Sequence, residues 1–196
     1  MRRDDWPHRA AVVLAAAGWV WLLASAVGGG QAVACPQPPS ADAPLKVAID
    51  IGHSPKRGGA TSARGVKEYD FNARFAHELH ERATSEKRLS LVIVNPDGAS
   101  LRLRERPGRA EQLGADVFIS IHHDSAQLKY FKPWIHNGER RMHAEGIRGF
   151  SLFISKANAM FPASARLARV IGEALVARNR RIVLFSTFDD LYLCGE

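Results

Sequence analysis

Three features of this sequence predict an α/β fold, with one domain, a mostly parallel open sheet and helices on both faces. Short β-branched runs alternate with segments of helical period, the order found where crossover helices join strands of one sheet. Those runs are apolar nearly throughout, as strands covered on both faces are. The 196 residues are 46% apolar and 24% charged. This ordinary globular balance excludes disordered, collagenous and low-complexity chains and leaves room for one core.

The first strand is Lys46-Val47-Ala48-Ile49-Asp50-Ile51, opening at Gly52 into a loop with Gly58, Gly59 and Gly65. Asp70 then offers an N-cap, and Phe71, Phe75, Leu79 and Ala83 recur at four-residue spacing, so a helix is expected to about Ser85. Leu89 to Val94 is a second strand, stopped by Asn95-Pro96-Asp97-Gly98. Leu101 to Leu113 is Arg-rich and helical in pattern, with an interruption expected at Pro107-Gly108. Val117 to Ile121 is the third strand and stops at His122-His123-Asp124. Ser125 to Arg148 shows no clean period and reads as a long loop or lid, with Tyr130, Phe131 and Trp134 either over a groove or packed on the body. Gly149 to Ser155 is the fourth strand, and Ala163 to Ala177 is a helix with Leu167, Val170, Ile171 and Leu175 on one face. No internal repeat occurs.

Residues 1–34 read as an address. Arg2, Arg3 and Arg9 precede an uncharged run from Ala10 to Val27, and Ala32-Val33-Ala34 supplies a small-x-small cleavage pattern before Cys35. The competing reading is an uncleaved membrane anchor, because a bilayer span takes about 20 residues. Cys35 in that place also permits lipid attachment. Residues 35–44, with Pro36, Pro38, Pro39 and Pro44, read as an extended tether to a domain over 45–196. Cys35 and Cys194 lack the spacing of a zinc ribbon or a redox pair, so no disulfide framework is implied.

The net charge is +7, which favours anionic partners. Removing residues 1–34 takes away three arginines and two aspartates, so the basic excess belongs to the remainder. An exported basic protein meets lipid headgroups and cell wall rather than nucleic acid, and no nucleic-acid partner is expected. Arg102, Arg104, Arg106 and Arg109 form either a wall-polymer contact or a solvated helix face; the second is the commoner use of such a run.

In open α/β sheets, functional groups gather at the carboxyl ends of strands. His53 follows the first strand, His122 follows the third, and Glu68 precedes the first long helix. Two imidazoles and one carboxylate fill three corners of a zinc tetrahedron and leave the fourth open for water. Each also has a plainer use, the histidines as hydrogen-bonded strand ends and Glu68 as a partner of the helix dipole.

The runs Val47 to His53, Gly65-Val66-Lys67-Glu68-Tyr69-Asp70-Phe71-Asn72 and Ala115 to Ser125 resemble, in order, three signatures of the zinc-dependent N-acetylmuramoyl-L-alanine amidases of bacterial cell-wall turnover. Arg148 to Phe153 and Ser164 to Leu175 resemble that family's next strand and helix, so the likeness covers Lys46 to Ala177. It implies a zinc amidase, phosphorylase/hydrolase-like sheet with His53, Glu68 and His122 as ligands of Zn2+. It further implies peptidoglycan as substrate, cut at the amide between N-acetylmuramic acid and L-alanine, and a place in the periplasm or cell envelope. His123 and Asp124 are expected to border the site, since neighbours on an extended segment face opposite ways.

The family also places a second carboxylate, which delivers a proton to the departing amine, at the end of a late core strand. Arg178 to Glu196 does not match that strand. The sequence therefore reads as C-terminally incomplete, with the metal pocket kept and turnover weak or lost; Glu196 as a stand-in acid suffers from terminal fraying. The alternative function is a non-catalytic peptidoglycan-binding or regulatory envelope protein on the same fold. Further readings are a zinc carboxypeptidase cutting the stem peptide and a basic surface binder without metal.

Overall fold

A computed structural model describes residues 9–16, 43–123, 125–145, 149–156, 158–178 and 191–193. The elements are β1 (Arg9–Ala16), β2 (Leu45–Ile51), α1 (Glu68–Ala83), β3 (Leu89–Ile93), α2 (Glu105–Gln112), β4 (Val117–His122), a 3-10 turn at Leu128–Tyr130, β5 (Phe131–His136), β6 (Glu139–Ala144), β7 (Gly149–Ser155), α3 (Phe161–Val176) and β8 (Leu191–Leu193). Among the described residues, six strands form one sheet in the order β3-β2-β4-β1-β7-β8. The expected parallel arrangement holds for β3-β2-β4. Strand β1 runs antiparallel to β4 and parallel to β7, and β8 antiparallel to β7, so the sheet as a whole is mixed.

Alternation along the strands places helices on both faces, as the sequence predicts. Val47, Ile49 and Ile51 of β2, with Val117 and Ile121 of β4, face Ala76 of α1. Ala48 and Phe118 point the other way, against Ala110 of α2. Ile49, Ile51 and Ile121 are fully enclosed, and burying each such side chain contributes roughly 1.5–3 kcal/mol. Phe150, Leu152 and Ile154 of β7 pack on Ala168 of α3. The buried stripe of α3 is Ser164, Ala168 and Gly172; Leu167, Ile171 and Leu175 flank it, while Val170 is exposed. Small residues bring this helix close to β7, which a count of large apolar positions does not show.

Two helix boundaries differ from the sequence reading. Helix α1 begins at Glu68 rather than after Asp70, with Lys67 at the N-cap position, and Glu68 and Asp70 both lie in its first turn. Helix α2 passes unbroken through Pro107. With Arg104 at the N-cap, Pro107 is the third helical residue, where the backbone N–H has no intrahelical acceptor to lose.

The larger correction concerns 125–148, read as a long loop. Strands β5 and β6 pair antiparallel, His136 with Glu139, across the two-residue turn Asn137-Gly138. Both turn residues have positive φ, 50° and 78°, the arrangement that Asn-Gly favours. Gly138→Ala is expected to destabilise the chain by about 1 kcal/mol, read as a lowered thermal midpoint. The hairpin rests on the body: the Trp134 indole N–H donates to the Ala63 carbonyl at 3.1 Å.

Candidate metal centre

Strands β2 and β4 are parallel neighbours, so their carboxyl ends deliver His53 and His122 to the same side of the sheet. Helix α1 starts opposite them and supplies Glu68 from its first residue. The three converge. His53 Nε2 lies 3.1 Å from Glu68 Oε2, and His122 Nδ1 lies 3.0 Å from Glu68 Oε1. One ligand atom from each falls within 4.8 Å of the other two. Tetrahedral zinc with bonds of about 2.0–2.1 Å requires donors roughly 3.3 Å apart, so the set fits with small side-chain shifts.

Glycines make the room. A Cβ at Gly52 would stand 2.6 Å from the His122 ring, and one at Gly59 would stand 2.5 Å from Glu68 Oε2 and 2.6 Å from His53 Nε2. Gly59 also has φ +72°, a conformation that suits glycine. These observations, together with a borderline-soft donor set of two nitrogens and one oxygen, fit a zinc ion.

The carboxylate is buried and fully engaged. Oε2 accepts from the Ala60 N–H at 2.9 Å and Oε1 from the His123 N–H at 3.1 Å. Burial by itself pushes the Glu68 pKa up. Hydrogen bonds from His122 and Ala60 and the charges of His53 and His122 outweigh it and leave the group below its ordinary value. Glu68 is thus held as an anion, the form a metal requires.

Supporting residues hold the two histidine turns. The Asn72 side chain donates through Nδ2 to the Gly52 carbonyl at 3.0 Å, while its Oδ1 lies 2.6 Å from His123 Nδ1. His123 therefore faces α1 and not the three ligands. The Asn95 amide pairs with Ile51 in both directions, donating to its carbonyl and accepting from its N–H, each at 2.9 Å. His53 sits at φ +69°, a left-handed conformation that costs a non-glycine residue about 1–3 kcal/mol.

His53, Glu68 and His122 are thus brought together. His136 and His143 lie instead beside Trp134 on the hairpin, and His77 and His80 lie along α1. Asp124 and Glu196 lie outside the described residues, as do Cys35, Cys194 and most of residues 1–34. Arg106, read as one of a solvated run, is buried and bonded to Asp50 at 2.7 Å. Asp50 within an apolar strand was the available signal, because an enclosed carboxylate needs a partner.

Adjacent strand ends that present two imidazoles, met by a carboxylate from the first turn of α1, form a group able to hold a single metal ion. The chain belongs to the N-acetylmuramoyl-L-alanine amidase family whose model matches residues 47–186. It is similar to the N-acetylmuramoyl-L-alanine amidase AmiC of Escherichia coli O6:H1, 28% identical over 46% of this chain and 22% of that one. It is also similar to the amidase CwlM of Bacillus licheniformis, 30% identical over 48% of this chain and 37% of CwlM. Among solved structures, the catalytic domain of CwlV from Bacillus (Paenibacillus) polymyxa var. colistinus aligns with 38% of this chain and 42% of its own, at 33% identity and a TM-score of 0.35. The chain spans 22% and 37% of the lengths of the two curated relatives.

Proposed function

We propose that this chain is a zinc-dependent N-acetylmuramoyl-L-alanine amidase of the cell envelope, acting on peptidoglycan. Convergence of His53, Glu68 and His122 carries the reading, and membership of the amidase family supports the reaction class. Zinc held by His53, Glu68 and His122 would supply a Lewis acid able to polarise the amide carbonyl and lower the pKa of the attacking water. The chain's own part is to present two imidazoles and the anionic Glu68 on one side. Half-exposed His53 and His122 leave the other side open to the solvent and substrate.

The departing amine needs a proton from a group outside these three ligands. Residues 179–190 and 194–196, within the segment that does not match the family's late strand, lie outside the described residues. The proposal includes export, with residues 1–34 as the leader, so that the exported form lacks β1. Membrane attachment through that segment or through Cys35 belongs to the same expectation.

The deciding experiment pairs zinc content of the purified chain with the products it releases from sacculi. One zinc per chain and intact stem peptides freed from the sugar are expected. Trimmed peptides still joined to muramic acid would mean a peptidase, and wall binding with no product would mean a non-catalytic protein.

A further inference from the structure

We propose that Arg106 is a positioning residue for the metal centre. Its guanidinium, aimed by Asp50, clamps the carbonyls of Ile51 and His53 and so fixes the His53 imidazole before any metal arrives. The inference rests on reading His53, Glu68 and His122 as ligands.

Arg106 comes from α2, on the sheet face opposite α1, yet it reaches the turn that bears His53. Nη1 donates to Asp50 Oδ1 at 2.7 Å and to the Ile51 carbonyl at 2.9 Å. Nη2 donates to the His53 carbonyl at 2.9 Å. The other Asp50 oxygen accepts from Ser120 Oγ at 2.6 Å, so the carboxylate that orients the guanidinium is itself held from β4. With Asn72 on the Gly52 carbonyl, three successive carbonyls, at residues 51, 52 and 53, are held by side chains. Fixing these carbonyls holds His53 at its positive φ.

A buried ion pair is weak grounds for stability, since apolar residues of similar size often replace one without loss. Two of the three Arg106 bonds go to the turn that carries a ligand, and that distribution points to geometry. Only a planar fork can serve the three acceptors together. A lysine could neutralise Asp50 as a point charge but could not span both carbonyls.

The test is Arg106→Lys in the full chain, with zinc affinity measured by competition against a chelating dye and the metal-free fold followed by circular dichroism. R106K is expected to keep the metal-free fold and to bind zinc about 10–100-fold more weakly, the range typical of losing a group that orients a ligand. Equal affinity in R106K and wild type overturns the inference and leaves the ligand reading intact. A folded wild-type chain that takes up no zinc overturns both. Should R106K not fold, amide hydrogen exchange in zinc-free wild type decides. Protection of the Ser54 N–H, which bonds the Arg57 carbonyl, supports a turn set in advance; exchange at open-loop rates until zinc is added overturns it.

Discussion

Glu68→Gln is expected to weaken zinc binding by more than about 100-fold and to reduce release of stem peptides to background. Loss of a group that merely orients a ligand costs 10–100-fold, and Glu68 is itself one of three proposed ligands. Its replacement also removes the only negative charge in the triad. The amide has the carboxylate's shape, so the metal-free fold should persist, but one end now presents an NH2 where the carboxylate accepted. Oε1 takes hydrogen bonds from His123 N–H and Oε2 from Ala60 N–H, so either orientation sets a donor against a donor, at a cost of about 1–3 kcal/mol. Equilibrium dialysis with zinc and chromatography of the soluble products check both parts. Stoichiometric zinc with undiminished turnover in E68Q would remove Glu68 from the centre.

The sequence made the scaffold legible where one physical rule dominated. Strands β2, β4 and β7 announce themselves because both faces are covered, and enclosed strands read as unbroken apolar runs. The strand-end histidines follow from the same logic, since parallel strands deliver their carboxyl ends to one side. Signals of smaller scale are weaker. The Asn137-Gly138 turn is a strong hairpin signal, but the flanking Lys132, Arg140, Arg141 and Glu139 obscured strand alternation in a partly exposed hairpin. Arg106 is indistinguishable in sequence from the exposed Arg102 and Arg104; only the fold shows that its partner Asp50 is on the same sheet face.

The segment Arg9–Ala16 shows a different limit. Its uncharged run from Ala10 to Ala16 satisfies the requirements of an export leader and of a strand between β4 and β7 alike. The two uses are exclusive in one molecule, because cleavage after Ala34 would remove β1 and open the edges it covers. Open inner edges invite pairing with other strands.

Between pH 6.5 and pH 4 the metal-free chain is expected to lose stability by up to about 3 kcal/mol through His123 alone. This side chain is buried, with Phe71 and Phe75 at ring distances of 5.7 Å and 6.5 Å. Asn72 Nδ2 is engaged with Gly52, so Asn72 Oδ1 accepts from His123 Nδ1–H. Burial lowers its pKa to about 4; the Glu68 anion opposes that shift, and the charges of His122 and Arg74 add to it. An unfolded histidine titrates near 6.5. Above pH 6.5 neither state holds the proton, and the stabilisation is complete. As the pH falls toward 4, the unfolded chain binds a proton that the folded chain does not, so stability declines. Below 4 both states bind it and no more is lost from this source. Glu68, whose folded pKa is depressed, acts in a separate window, losing its contribution below its ordinary 4.5. Thermal unfolding in chelator at pH 7.5, 6 and 5 measures the slope. His123→Gln, neutral throughout, should start less stable at pH 7.5 and show a flatter profile down to pH 5. Equal slopes for the two chains would mean that the ring takes up its proton in the folded state as readily as in the unfolded one, and that burial does not hold it neutral.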